Sequence, residues 1–286
     1  MPRSSAVDDF TLAYDRTGTG PPVVLLHGWP GDRTDFRAVV ALLSGCDAVV
    51  PDLRGFGESD KHREPPERAY SALAQARSVL ALIDELGLEA PVVAGYDIGS
   101  RIAQTIARTA PDRVRALVVS PPLPGVGERV LTAEAQREFW YQAFHQLPLA
   151  EELIDGDPHA VRAYLRHFWS HWSGPAFEPG DAALDHLVEM YSQPGAFIAS
   201  IAWYRAGSGT VSTAIAETTA PPAERIELPT TILWPEHDPL FPPAWSDRIG
   251  EFFSDATLRL LADVGHFTPL EAPEAFAAAI RDRLRV

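Results

Sequence analysis

The stretch from Val92 to Arg101 constrains the fold more than any other. A short β-branched run, Val92-Val93-Ala94, enters Gly95-Tyr96-Asp97-Ile98-Gly99, and a helix-like segment from Ile98 to Arg108 leaves it. A strand that turns sharply into a helix lifts the central side chain clear of the sheet. The glycines are needed because the turn crowds the backbone, and a Cβ at Gly95 or Gly99 would clash with neighbouring chain. The lifted residue is Asp97. A carboxylate needs no proton removed before it attacks, so it suits displacement at an alkyl carbon rather than attack at a carbonyl.

The rest of the chain supplies a sheet for that turn. Phe10 to Tyr14 reads as a strand before the turn Gly18-Thr19-Gly20. Val23 to Leu26 is a continuous apolar run, which suits a strand buried on both faces, and it ends at His27-Gly28-Trp29-Pro30-Gly31. Asp47 to Asp52 is another strand, closed by a glycine-rich loop to Ser59. Ser71 to Gly87 reads as a helix, with Leu73, Ala76, Leu80 and Ile83 on one face, Ser71 as cap and Gly87 as stop. Val114 to Ser120 is the next strand. Such alternation argues for a parallel sheet covered on both faces.

From Pro121 the alternation stops. Residues to about Ala223 are helix-like and rich in Trp, Tyr, Phe and His; then strands at Thr230–Trp234 and Thr257–Val264 and a helix at Glu271–Leu284 follow. Pro273 is expected in the first turn of that helix. The organisation expected is an α/β core from 1–124 and 224–286 with a helical cap, or lid, at 125–223 over the strand ends, where such sheets bind ligands.

Lys and Arg number 24 against 39 Asp and Glu, a formal charge of −15. That acidity disfavours nucleic acid and anionic membranes as partners. The single Cys46 allows no internal disulfide, and no run approaches a membrane span. With no apolar stretch in Met1 to Ser5, a cytoplasmic protein is expected.

An ester formed on Asp97 would stall unless a base activated water to cleave it. His266, after the last strand, is the candidate base, and Asp238, after the strand before, is the acid that would orient it; Glu236 and His237 read as loop residues. Both follow strand ends and belong on the same edge as Asp97. Ester cleavage also needs N–H donors for the oxyanion. Ile98 follows the nucleophile, and Trp29 is the natural second donor because Pro30 has no N–H. His167 and His171 stand at i, i+4 but lack a third ligand, and Gly18-Thr19-Gly20 lacks the lysine of a phosphate loop.

These motifs resemble the α/β-hydrolase superfamily along nearly the whole chain, with its mostly parallel sheet flanked by helices and an inserted helical lid. Within it, His27-Gly28-Trp29-Pro30 with an Asp nucleophile is similar to epoxide hydrolases and to haloacid and haloalkane dehalogenases. Epoxide hydrolases carry two lid tyrosines that hold and protonate the epoxide oxygen. Phe139-Trp140-Tyr141-Gln142 and Trp203-Tyr204-Arg205 match their contexts, so the resemblance implies that role for Tyr141 and Tyr204. It implies an epoxide as small-molecule substrate, a vicinal diol as product and no cofactor or metal. Lids of this kind lie near subunit contacts, which leaves a homodimer as the expected assembly. Trp140 and Arg101 are further candidates for substrate contact, although a surface salt bridge is the simpler reading of Arg101. Tyr164 and Tyr191 match no such context and read as packing.

The dehalogenase resemblance meets departures. Ile98 stands where haloalkane dehalogenases place a halide-holding Trp and where fluoroacetate dehalogenases place the first of two carboxylate-binding Arg residues; Arg101 occupies the second. Tyr141-Gln142 falls where fluoroacetate dehalogenases carry a His-Trp pair, and Ser120-Pro121-Pro122 where they carry the orienting acid. Tyr96-Asp97-Ile98 also departs from the His-Asp-Trp common among epoxide hydrolases, which puts substrate shape in question. A haloacid dehalogenase is the alternative reading, and a non-catalytic ligand-binding protein of the same fold is the alternative from another class.

Overall fold

Seven strands form one sheet in the order β1-β3-β2-β4-β5-β6-β7. The computed structural model describes residues 1–178 and 180–285. The strands are β1 (Tyr14–Thr17), β2 (Pro22–Leu26), β3 (Asp47–Pro51), β4 (Val92–Gly95), β5 (Ala116–Val119), β6 (Thr230–Pro235) and β7 (Ala256–Leu261). Only β1 runs antiparallel to its neighbour, with Tyr14 opposite Pro51. Strands β2, β4 and β5 are apolar and buried almost throughout, as a sheet covered on both faces requires.

The first strand begins where its expected span ends, because Phe10 and Ala13 make only isolated bridges. Helices α1 (Arg37–Leu42), α2 (Pro66–Ala69), α3 (Ala72–Glu85) and α4 (Ile98–Thr109) follow in the first half. Ser71 caps α3 by accepting from Ala74 N–H. Its buried face runs through Ala76, Val79, Leu82 and Ile83, while Leu73 is half exposed, so the stripe is rotated from the expected one.

Between β5 and β6 the described residues carry helices and no strand: α5 (Ala133–Glu138), α6 (Trp140–Phe144), α7 (Pro148–Ile154), α8 (Pro158–Trp172), α9 (Asp181–Tyr191), α10 (Ala196–Arg205) and α11 (Thr210–Ile215). The expected final helix is two, α12 (Thr268–Glu271) and α13 (Pro273–Leu284). Pro273 opens α13 rather than sitting inside a longer helix, because Ala272 leaves helical geometry at φ −136° and ψ 55°. Among the described residues no helix is long and apolar enough to cross a membrane.

Candidate active site

Asp97 sits between β4 and α4 at φ 49° and ψ −122°, a conformation L-residues rarely hold. The turn is closed by Gly99 N–H donating to His27 O at 3.0 Å and Ser100 N–H to Tyr96 O at 3.2 Å. A methyl on Gly99 would overlap the Leu26 carbonyl, and one on Gly95 would lie 2.6 Å from the Gly99 backbone. The elbow therefore depends on two positions without side chains.

The carboxylate's two oxygens have different neighbours. Oδ1 accepts from Trp29 N–H at 2.8 Å, whereas Oδ2 lies 3.3 Å from Nε2 of His266. Ile98 opens α4, where an N–H has no intrahelical acceptor, and its neighbours' N–H groups are already taken. Trp29 N–H is thus bonded to the carboxylate, and Ile98 N–H, next in the chain to Asp97, has no intrahelical partner. His27 holds the loop that supplies one of them: its Nδ1 lies 2.9 Å from Gly28 O, and its Nε2 accepts from Leu53 N–H at 3.0 Å. Burial pulls its pKa down, so it stays neutral.

His266 Nδ1 lies 2.8 Å from Asp238 Oδ2, and Asp238 Oδ1 accepts from Leu240 N–H at 2.9 Å. Neither Glu236 nor His237 takes that place; both are exposed. Burial pushes the His266 pKa down, but the charges of Asp238 and Asp97 more than reverse this, to about 10. Its Nε2 is buried without a hydrogen-bond partner. The arrangement is a carboxylate beside an imidazole that a second carboxylate orients.

Above it, Tyr141 and Tyr204 come together from α6 and α10, their ring centroids 5.5 Å apart and nearly perpendicular. Both are buried. Burial, followed for Tyr141 by the Asp97 charge and for Tyr204 by its partner and Asp97, raises both pKa values, so the phenols are neutral donors. Gln142 Nε2 donates to the Tyr141 hydroxyl at 3.1 Å. Trp29 stacks on Tyr141 at 5.7 Å, so the residue donating to Asp97 also supports a phenol.

Two candidates lie elsewhere. Trp140 is 41% exposed and stacks on Phe168 outside this cage. Arg101 makes no surface salt bridge; it donates to Thr213 Oγ1 at 3.2 Å, and its Nε is buried without a partner. His171 pairs with Glu138 at 2.6 Å.

Sequence reading missed several groups that hold the site. Tyr191 is more than packing: its hydroxyl donates to Gly31 O at 2.9 Å and accepts from Gly31 N–H at 3.0 Å. Trp169 Nε1 donates to Pro30 O at 3.2 Å, and His186 Nε2 meets Asp32 Oδ2 at 2.6 Å. Helices α8 and α9 are thus fastened to the loop that carries Trp29. Trp172 packs against both the imidazole and a phenol, its ring centroid 5.1 Å from His266 and 5.2 Å from Tyr141. Glu271 accepts from the N–H groups of Gly265 (2.7 Å), Gly174 (2.8 Å) and Phe267 (3.0 Å), clamping both sides of His266. An acid five residues after a candidate base, at a helix start, was the available signal.

A family model described as the alpha/beta hydrolase fold matches residues 21–273. The soluble epoxide hydrolase of Corynebacterium sp. (strain C12) is 28% identical, over 94% of this chain and 91% of its own. A fluoroacetate dehalogenase of Burkholderia sp. is 32% identical over 72% of this chain and 68% of its own. Among solved structures, one from work on epoxide hydrolases in hot-environment metagenomes is 25% identical with a TM-score of 0.82, covering 99% of this chain and 97% of its own.

Proposed function

The chain belongs to the α/β-hydrolase fold family, and from that premise we propose that it is an epoxide hydrolase. The observation that carries the reading is the convergence of two neutral phenols, Tyr141 and Tyr204, above the Asp97 carboxylate. An epoxide oxygen stays attached to the product and leaves its carbon more readily when given a proton. A phenol pair suits an oxygen leaving group. The similarity to proteins named epoxide hydrolases supports the same reading.

In this mechanism Oδ2 of Asp97 attacks the less hindered epoxide carbon. The carbon–oxygen bond breaks, the oxygen takes a proton from the phenol pair, and a hydroxyalkyl ester remains. Esterification removes the negative charge of Asp97, one of the two charges that raise the His266 pKa. The pKa falls, the imidazolium releases its proton to solvent, and the neutral imidazole, held by Asp238, becomes the base for water. The imidazole takes a proton from water as its oxygen adds to the ester carbonyl, the Trp29 and Ile98 N–H groups stabilise the oxyanion, and collapse expels an alkoxide that takes the proton of the Asp97 carboxyl, leaving carboxylate, imidazolium and a vicinal diol. Proton return through solvent restores the phenol. No step calls for a cofactor or metal.

Haloacid dehalogenation is the second reading, favoured by the Burkholderia relative. It needs a cation for the substrate carboxylate, and Arg101, the candidate, is engaged with Thr213. One experiment separates the readings: intact mass of a His266→Gln variant after incubation with pooled epoxides or pooled haloacids. A gain equal to a whole epoxide is expected. A gain equal to a haloacid minus hydrogen halide supports dehalogenation instead, and no adduct on folded protein supports a binding protein.

A further inference from the structure

His145 is fully buried, stands outside the mechanism above, and packs against Tyr141, Tyr204 and Trp29. It follows Tyr141 by one helical turn, and its N–H donates to the Tyr141 carbonyl at 2.8 Å. Its own carbonyl accepts from Nε of Arg205, the residue after Tyr204, at 2.8 Å. The backbone of this one residue therefore joins α6 to α10, the two helices that bring the phenols. Its ring packs against both of theirs, with centroids 4.8 Å from Tyr204, 5.5 Å from Tyr141 and 5.1 Å from Trp29.

The ring has one polar tie. Nε2 lies 2.9 Å from the hydroxyl of Tyr164 on α8, whereas Nδ1 is buried without a partner. Leaving a ring nitrogen dry and unpaired is unfavourable, and a phenylalanine would fill the same space without that cost. What the imidazole adds is the bond to Tyr164, which fixes its rotation against the two phenols.

Resting on the epoxide hydrolase reading, we propose that His145, locked by Tyr164, is a positioning residue that sets the spacing and tilt of Tyr141 and Tyr204 for ring opening. Burial and the neighbouring Arg205 hold its pKa well below the usual histidine value, so it brings no charge into the cage. It acts through the phenols and touches no substrate atom.

The test is single-turnover alkylation by styrene oxide, followed as ester formation in a His266→Gln background. His145→Phe and Tyr164→Phe should each slow alkylation about tenfold, and the pair together no more than either alone, because both remove one hydrogen bond. In a Tyr141→Phe plus Tyr204→Phe background His145→Phe should cost less than about twofold, since both hydroxyls it positions are already gone. Wild-type alkylation by His145→Phe overturns the proposal, as does the same loss in both backgrounds, which is how a merely structural residue behaves. If His145→Phe does not fold, Tyr164→Phe at the half-buried end of the bond carries the same comparison. Undiminished alkylation by the Tyr141→Phe plus Tyr204→Phe variant overturns the phenol assignment and this inference with it. Loss in Tyr204→Phe without loss in His145→Phe overturns only the latter.

Discussion

His266 Nε2 and Asp97 Oδ2 stand 3.3 Å apart, a buried imidazole beside a buried carboxylate. With Asp238 on the other nitrogen, the imidazole lies between two carboxylates, which raises its pKa to about 10. A folded-state pKa above the ordinary 6.5 means the native state binds the proton more tightly than the unfolded chain. This contribution to stability is full below about pH 6.5 and is lost as pH rises to about 10. Urea unfolding across that window should show wild type losing stability relative to His266→Gln as pH rises. Parallel curves would mean the imidazole is not held as a cation.

The phenol pair shares one task, so removing one member should cost less than removing both. We expect Tyr141→Phe or Tyr204→Phe to lower the alkylation rate by about tenfold and the double variant by about a thousandfold, within the range for general acid catalysis. Rapid-quench measurement of the ester-forming step reads this directly. Equal rates for the double variant and wild type would remove both residues from the mechanism.

Glu271 makes a prediction that distinguishes the two half-reactions. Its carboxylate holds the N–H groups on both sides of His266. Burial raises its pKa while the three backbone donors pull it back. Glu271→Gln keeps the shape and turns one acceptor oxygen into a donor facing N–H groups. Ester cleavage should slow about tenfold as the base drifts, with alkylation nearly unchanged. Accumulated ester in steady state, seen by mass, is the expected sign; a uniform fall in both steps would indicate a general loss of fold.

The sheet and the three residues Asp97, Asp238 and His266 were legible because each follows an apolar run with a glycine or proline loop behind it. The supports of those residues were not. His145, Tyr191 and Glu271 act through contacts between segments far apart in sequence, and a lone His, Tyr or Glu in a helix carries no periodic signal. Leu73 shows the limit within one helix: α3 has apolar residues at neighbouring positions, so periodicity alone did not say which face the sheet would take. Phe10 to Tyr14 was misplaced for a similar reason, since pairing with β3 rather than local preference decides where β1 begins.

Two glycines separate the two reasons a chain needs that residue. Gly99 has ordinary helical geometry, but a methyl there would meet the backbone of Leu26 and His27, which cannot yield without moving β2. Gly87 ends α3 at φ +63° with open space around it. Gly87→Ala should therefore cost about 1 kcal/mol, the penalty of a left-handed L-residue, and leave turnover intact. Gly99→Ala should cost about 3 kcal/mol or more and disturb the site, because overlap with fixed backbone forces the elbow apart. Urea midpoints and turnover of both variants check this. A Gly99→Ala enzyme as stable and active as wild type would show that β2 can shift, and that the tight turn is not what aims Asp97.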